Sequence, residues 1–467
     1  MSSHETDKDV TIPVHDDARE DEQTLIKRIF SALTTSFNPK KNLIATFKRP
    51  DNQLKPLDGI RSLGFLWVLL IHSWKALAVG IDPKDVDLQA KLEESHYVNW
   101  SAFSRLADKG GYGVDMFFVL SGFLISFILI KERQKNISAN DTSTRRVGIN
   151  IPRFYVRRAL RIIPVYWLAI GFATLIGLLL FSKDSFIYES SMNCAYKFWH
   201  NVLFLNNVLG TYNTMCLVPS WSIAVEVQMY VISPLIIYLM CLKKILAFIV
   251  PFVMIVASCL INLVLAILYD CSSEVAFESD VCKTVLYEKV YTKWSPYLFG
   301  MMAAYIYVNY FENKSDQALS ERANFYRKIS LYCTYGAACV ATIIVILVNY
   351  DFNNPAFVRW MDYAVARPLF GLITAFVLLN CLVGNLKIIN SILSLYVFYP
   401  IGQLSYSGYL FQFFVIVFNY SYVINIGWFG VGHGSLFVLN LFNTITTLLI
   451  CIPIHIFIER PIMNLRW

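Results

Sequence analysis

Stretches of apolar residues long enough to cross a bilayer recur along this 467-residue chain, and that recurrence decides its class of fold. A helix needs about 20 apolar residues to traverse the hydrocarbon core, and in lipid only structures that satisfy their own backbone hydrogen bonds are viable. Ten such stretches are read, near residues 60–80, 112–131, 162–181, 221–241, 245–269, 294–311, 329–349, 366–383, 396–420 and 435–458. Composition agrees: 56% of the residues are hydrophobic and 16% charged, with a mean hydropathy of +0.50. The expected fold is therefore an all-α integral membrane protein, a polytopic bundle of about ten transmembrane helices. A shorter apolar piece, Phe198 to Leu209, is expected to be re-entrant or to lie along the surface.

Charge sets the expected orientation. The formal net charge is +7. Basic residues crowd the segment before the first span (Lys40, Lys41, Lys48, Arg49), the stretch from Lys131 to Arg161, and Lys243-Lys244, while alternate loops are neutral or acidic. By the positive-inside rule both termini are cytosolic. Residues 1–53 are expected to form a cytosolic N-terminal region, acidic and largely disordered at first, with room for a short interfacial helix, and 54–467 the membrane domain. The polar first fifty residues exclude a cleavable signal peptide. Nucleic-acid binding is excluded as well, because the arginines flank spans and no aromatic–basic motif accompanies them. Of the ten cysteines, six fall within spans, and the other four fall in two outer loops, as Cys194 with Cys216 and Cys271 with Cys282. Pairs confined to non-cytosolic loops suggest two disulfides formed in an oxidising compartment.

Ionisable groups inside spans are costly and usually functional. Arg61 and His72 share the first span. Eleven residues make three helical turns plus about 20°, so both lie on one face, roughly 16 Å apart along the axis. The second span carries Asp115 in its first turn and Ser121 farther in. A first-turn acid also has a purely structural reading, through the helix dipole. The fourth span carries Trp221, Ser222, Glu226 and Tyr230, the last three at i, i+4 spacing as one polar stripe. A structural clamp between helices is the plain alternative for that stripe. Counting depth along the helices places His72, Asp115, Ser121 and Glu226 together in the outer half of the membrane, and Arg61, Arg158 and Arg161 at the inner face. Paired guanidinium groups suit phosphate, although arginines there also serve as plain topology anchors.

Four motifs in order, Arg61 with His72, Gly113-Val-Asp-Met-Phe-Phe-Val-Leu-Ser-Gly-Phe-Leu-Ile, Arg153 to Trp167, and Pro219-Ser-Trp-Ser-Ile-Ala-Val-Glu, resemble the membrane-bound acyltransferase family 3. Ser405-Tyr-Ser-Gly-Tyr-Leu-Phe-Gln and Ile458-Glu-Arg-Pro extend the resemblance to the C-terminus, and Val290 to Met301 is similar to the nose-resistant-to-fluoxetine branch. The resemblance implies an O-acyltransferase moving an acyl group, usually acetyl, from cytosolic acyl-CoA to an extracytoplasmic carbohydrate or lipid hydroxyl, without a metal. Arg61, Arg158 and Arg161 would then hold the CoA phosphates. His72 would act as general base or transient acyl carrier, with Asp115 or Glu226 orienting its imidazole and Ser121, Trp221, Ser222 and Tyr230 in support. The rival reading is a proton-coupled transporter built on the same intramembrane His, Asp and Glu. An inverted repeat would favour it, and the sequence shows no convincing one.

Overall fold

The computed structural model describes residues 34–50, 54–79, 106–107, 109–138, 148–180, 186–211, 215–271, 280–312, isolated positions between 324 and 336, 356–420 and 433–465. Every regular element among them is helical. The expected disordered stretch 1–24, most of the expected span at 329–349, and Cys333 and Cys339 lie outside the described residues.

A short helix α1 (Pro39–Phe47) precedes α2 (Lys55–Val79), α3 (Tyr112–Ser138), α4 (Ile151–Leu180) and α5 (Phe186–Val202). Then come α6 (Trp221–Leu242), α7 (Leu246–Leu268), α8 (Val290–Ile306), α9 (Arg367–Val383), α10 (Phe398–Phe418), α11 (His433–Ile454) and the terminal turn α12 (Arg460–Asn464). Seven helical stretches among the described residues are long and apolar enough to cross a membrane; they contain α3, α4, α6, α7, α9, α10 and α11. The helices α2 and α8 cover two more of the expected stretches. The apolar piece ending at Leu209 is neither a span nor free: it comprises the end of α5 and a four-residue turn, Asn206–Leu209. Its polar side chains hold it to α6, with Asn206 donating to Ser220 Oγ at 3.0 Å and Asn207 to Gln228 Oε1 at 3.2 Å.

The helix α3 lies at the centre, packed against α2, α6, α8 and α9. In its most apolar window 67% of residues are buried, and 72% in that of α10, against 33% in α4, 28% in α11 and 22% in α7. The latter three therefore form the apolar exterior, a face suited to lipid. Close crossings at the centre depend on residues without side chains, as expected where packing rather than the hydrophobic effect joins helices. Where α3 meets α8, a Cβ on Gly122 would stand 2.0 Å from the Tyr297 carbonyl oxygen, and one on Gly300 would stand 2.1 Å from that of Val119. Where α3 meets α2, Gly113 and Gly64 approach in the same way.

The two ends of the bundle differ chemically. One end holds the start of α2, α1 and α12 with their lysines and arginines, Asn42 of α1 donating to the Ile456 carbonyl at 3.2 Å. The other holds both expected disulfides, Cys194–Cys216 and Cys271–Cys282, just before α6 and α8. Gly122→Ala is expected to destabilise the protein by about 1–3 kcal/mol through overpacking at the α3–α8 crossing. Gly171→Ala, on α4 with nothing within 4 Å of the added carbon, is expected to be neutral or slightly stabilising. Thermal unfolding of the two variants in one detergent checks the contrast.

Candidate active site

Helix α6 begins at Trp221, directly after a tight turn Val218–Ser220 that contains Pro219. From there Ser222, Glu226 and Tyr230 follow one another at single-turn intervals and all face one internal cavity. Glu226 Oε1 accepts hydrogen bonds from Ser121 of α3 and from Tyr230. Ser222 Oγ lies 2.6 Å from the Tyr409 hydroxyl of α10 and both lie 3.0 Å from the Pro219 carbonyl oxygen, so one hydroxyl donates to the other, which donates to the carbonyl. Arg61 from α2 and Arg158 and Arg161 from α4 complete the polar wall, opposite Val114, Phe117 and Phe118. The Arg158 guanidinium stacks over the Tyr230 ring at 5.2 Å. Both Arg61 and Arg158 interact electrostatically with Glu226. One carboxylate is thus set among three cations, in a space of about 90 Å³. Such a space admits a small reacting group; pockets for drug-sized ligands run to roughly 300–1,000 Å³.

This arrangement departs from the depth count made on the sequence. Glu226 and Ser121 were expected among the outer groups, apart from the arginines, and they share the arginines' cavity instead. Depth counted from Cα positions ignores helix tilt and the long stems by which arginine carries its charge away from its backbone. Asp115 does not line the cavity; it is buried against α9, where Arg367 Nη1 donates to its Oδ2 at 3.0 Å. His72 sits half-buried three turns along α2 from Arg61 and does not line the cavity either. Trp221 turns toward the disulfide end, 4.7 Å from the Tyr287 ring. There it joins a cationic–aromatic layer: Lys293 Nζ lies 5.7 Å from Trp221 and 4.8 Å from Tyr287, and the Arg367 guanidinium 5.2 Å from Tyr112 and 5.4 Å from Tyr287. Reasoning on the sequence missed Arg367, Lys293 and Tyr409. A signal existed for the first two, since each is a cation at the start of an apolar stretch and Asp115 needed a partner. Among the described residues no group of three or more His, Cys, Asp or Glu side chains is placed to hold a metal ion.

Residues 55–456 match the family model described as the acyltransferase domain of acyltransferase family 3. The chain belongs to that family. Among curated proteins, this family member is 23% identical to "Nose resistant to fluoxetine protein 6" of Caenorhabditis elegans, over 78% of its own length and 45% of the relative's. It is 27% identical to a protein of Staphylococcus aureus (strain COL) named "Putative O-acetyltransferase", over 79% of its own length and 52% of the relative's. The chain thus spans about half the length of the curated relatives it matches. No solved structure matches it. The match begins at the start of α2 and ends within the turn after α11, so it takes in both the cavity and the cationic–aromatic layer.

The Asp115–Arg367 pair is buried, and removing one partner leaves the other charge uncompensated. Arg367→Met alone is expected to cost about 3–5 kcal/mol, and the double variant with Asp115→Asn to recover most of it. Thermal unfolding of the single and double variants measures the coupling. Glu288, in the segment before α8, is fully buried, and burial pushes its carboxyl up to about 8 despite Lys289 Nζ at 3.6 Å. A carboxyl raised above its unfolded value of 4.5 stabilises fully below that value and loses the contribution as pH rises through about 8. Glu288→Gln is therefore expected to flatten the fall in melting temperature across that window.

Proposed function

We propose that this chain transfers an acyl group, acetyl by preference, from acyl-CoA on the basic side of the membrane to a carbohydrate or lipid hydroxyl on the disulfide side. The basic side is then cytosolic and the disulfide side extracytoplasmic, in agreement with the positive-inside rule and with the redox chemistry of the cysteines. The observation that carries the reading is the cavity of Glu226, Ser121 and Tyr230 with Arg61, Arg158 and Arg161, inside a chain of the acyltransferase family.

The reaction breaks one C–S bond and forms one C–O bond. The acceptor hydroxyl gives its proton to the His72 imidazole, its oxygen bonds to the thioester carbonyl carbon, and the carbonyl oxygen takes up negative charge. Collapse expels the CoA thiolate, which receives the proton from the imidazolium. In the alternative route the imidazole itself carries the acyl group between donor and acceptor. The small cavity suits a slender part of the donor, with the phosphates on the basic side of the arginines. Guanidinium groups there favour the phosphates of the donor. Glu226, held by two hydroxyl donors, fixes the positions of those guanidinium groups. His72 stands toward the disulfide end on the face of α2 that carries Arg61, where an acceptor would arrive. The donor's pantetheine arm would have to extend along that face to bring the thioester to the imidazole.

Proteoliposomes supplied with labelled acetyl-CoA on one side and candidate glycans on the other test the reading. His72→Ala is expected to abolish transfer at unchanged protein level, and Glu226→Gln to lower it by roughly 100-fold or more. Arg158→Ala combined with Arg161→Ala is expected to weaken CoA binding measured by calorimetry. Transfer retained by His72→Ala would remove the imidazole from the mechanism.

A further inference from the structure

The helix α1 is amphipathic in the reverse sense. The face it buries against the bundle is polar: Asn42 donates to the Ser36 and Ile456 carbonyls and accepts from Asn464, and Thr46 is fully buried. Its apolar residues Leu43, Ile44 and Phe47 are exposed, at 43%, 50% and 39%, with Ile44 at the edge of a neighbouring groove, and Phe37 just before it is 46% exposed. A helix that turns its apolar face away from its own bundle, at the end of a membrane protein, lies in the bilayer interface. Two tyrosines of the α10 end clamp it there, with the Tyr399 hydroxyl donating to the Ala45 carbonyl at 3.0 Å and Tyr396 to that of Phe47.

Beside this helix is a groove of about 590 Å³, six times the volume of the internal cavity. It is lined by Lys40, Lys41 and Lys48 of the α1 segment together with Arg49 and Arg460, and among its described lining residues there is no acid. Lys41 and Lys48 stand seven residues apart, two helical turns, on the same side of α1. Arg49 is partly neutralised from beneath, since its Nη2 lies 3.0 Å from Asp58 Oδ2. The four other cations also line the groove. Its floor is the Tyr399 ring, with the Arg49 guanidinium 5.8 Å from the ring centre.

We infer that this groove binds the phosphorylated headgroup of an anionic lipid, with the apolar face of α1 set among the acyl chains of the same leaflet. Several cations in one recess call for more than a single negative charge, and a headgroup phosphomonoester carries about −1.5 to −2 near pH 7 in addition to the phosphodiester. The groove lies at the end of the bundle opposite both disulfides, which under the topology proposed above is the cytosolic leaflet, where anionic lipids concentrate. The inference uses none of the residues assigned to acyl transfer, so its failure would leave that function standing.

Titration of the purified full-length protein with a fluorescent short-chain phosphatidylinositol 4-phosphate tests it, with inositol 1,4-bisphosphate and CoA as competitors. Saturable binding is expected, displaced by inositol 1,4-bisphosphate and indifferent to CoA. Lys41→Gln with Lys48→Gln, both exposed and outside the helix's buried face, is expected to lower affinity by roughly tenfold or more. Lys41→Arg with Lys48→Arg is expected to retain it, and Lys197→Gln on α5 to have no effect. Absence of saturable binding, or an unchanged affinity in the glutamine variant, would overturn the inference. Displacement by CoA in place of inositol bisphosphate would also overturn it, and would assign the groove to the acyl donor.

Discussion

A carboxylate can be kept inside a membrane bundle only if a cation is brought to it, because an uncompensated charge at that depth costs several kcal/mol or more. Asp115 and Glu226 meet that condition in different ways. Asp115 is matched by one guanidinium in a buried pair that ties α3 to α9. Glu226 is outnumbered by three guanidinium groups from α2 and α4, and two hydroxyl donors hold it in place. A matched pair is electrically finished, whereas a site with surplus positive charge still favours an anion, whether a phosphate, an oxyanion or a thiolate.

The charges could not converge if the helices stood at ordinary separations. Gly122 and Gly300 let α3 and α8 cross with backbones in contact, and Gly64 and Gly113 do the same for α2 and α3. Ser121 adjoins the first crossing and Arg61 lies one turn from the second, so the tightest packing in the bundle surrounds the polar cavity. A wider crossing would draw the hydroxyl and guanidinium donors back from Glu226.

Periodicity and composition made much of this legible. The Ser222–Glu226–Tyr230 stripe, the joint presence of Arg61, Arg158 and Arg161 and both disulfides follow from spacing, charge and loop placement, because each depends on local order or on which side a loop lies. What stayed hidden was tertiary. Arg367 lies 252 residues from Asp115, and a lone arginine opening an apolar stretch reads as an interface anchor until its partner is known. Tyr409 was visible within a motif, but its bond to Ser222 needs α10 beside α6. The short interfacial helix allowed for before the first span is matched by α1 with its exposed apolar residues, but its polar hold on the far C-terminal turn was hidden for the same tertiary reason.

The cavity's volume leads to one more consequence. At about 90 Å³ it admits only a small group, so entry of anything larger requires one wall to yield. The walls are unequally held. The helices α3 and α10 are two-thirds or more buried in their apolar windows and are pinned by glycine contacts to their neighbours. The helix α4, which carries Arg158 and Arg161, is only 33% buried there, and Gly171 along it meets nothing within 4 Å. Pro164 removes a backbone hydrogen bond three residues beyond Arg161. Moving α4 would cost the hydrogen bonds from Tyr406 to the Ile162 carbonyl at 2.8 Å and from Asn201 to the Tyr166 hydroxyl at 3.0 Å and would displace two of the three cations together, whereas moving α3 would break its glycine crossings with α2 and α8. The less buried wall therefore carries two of the three cations, and the more buried wall carries Ser121.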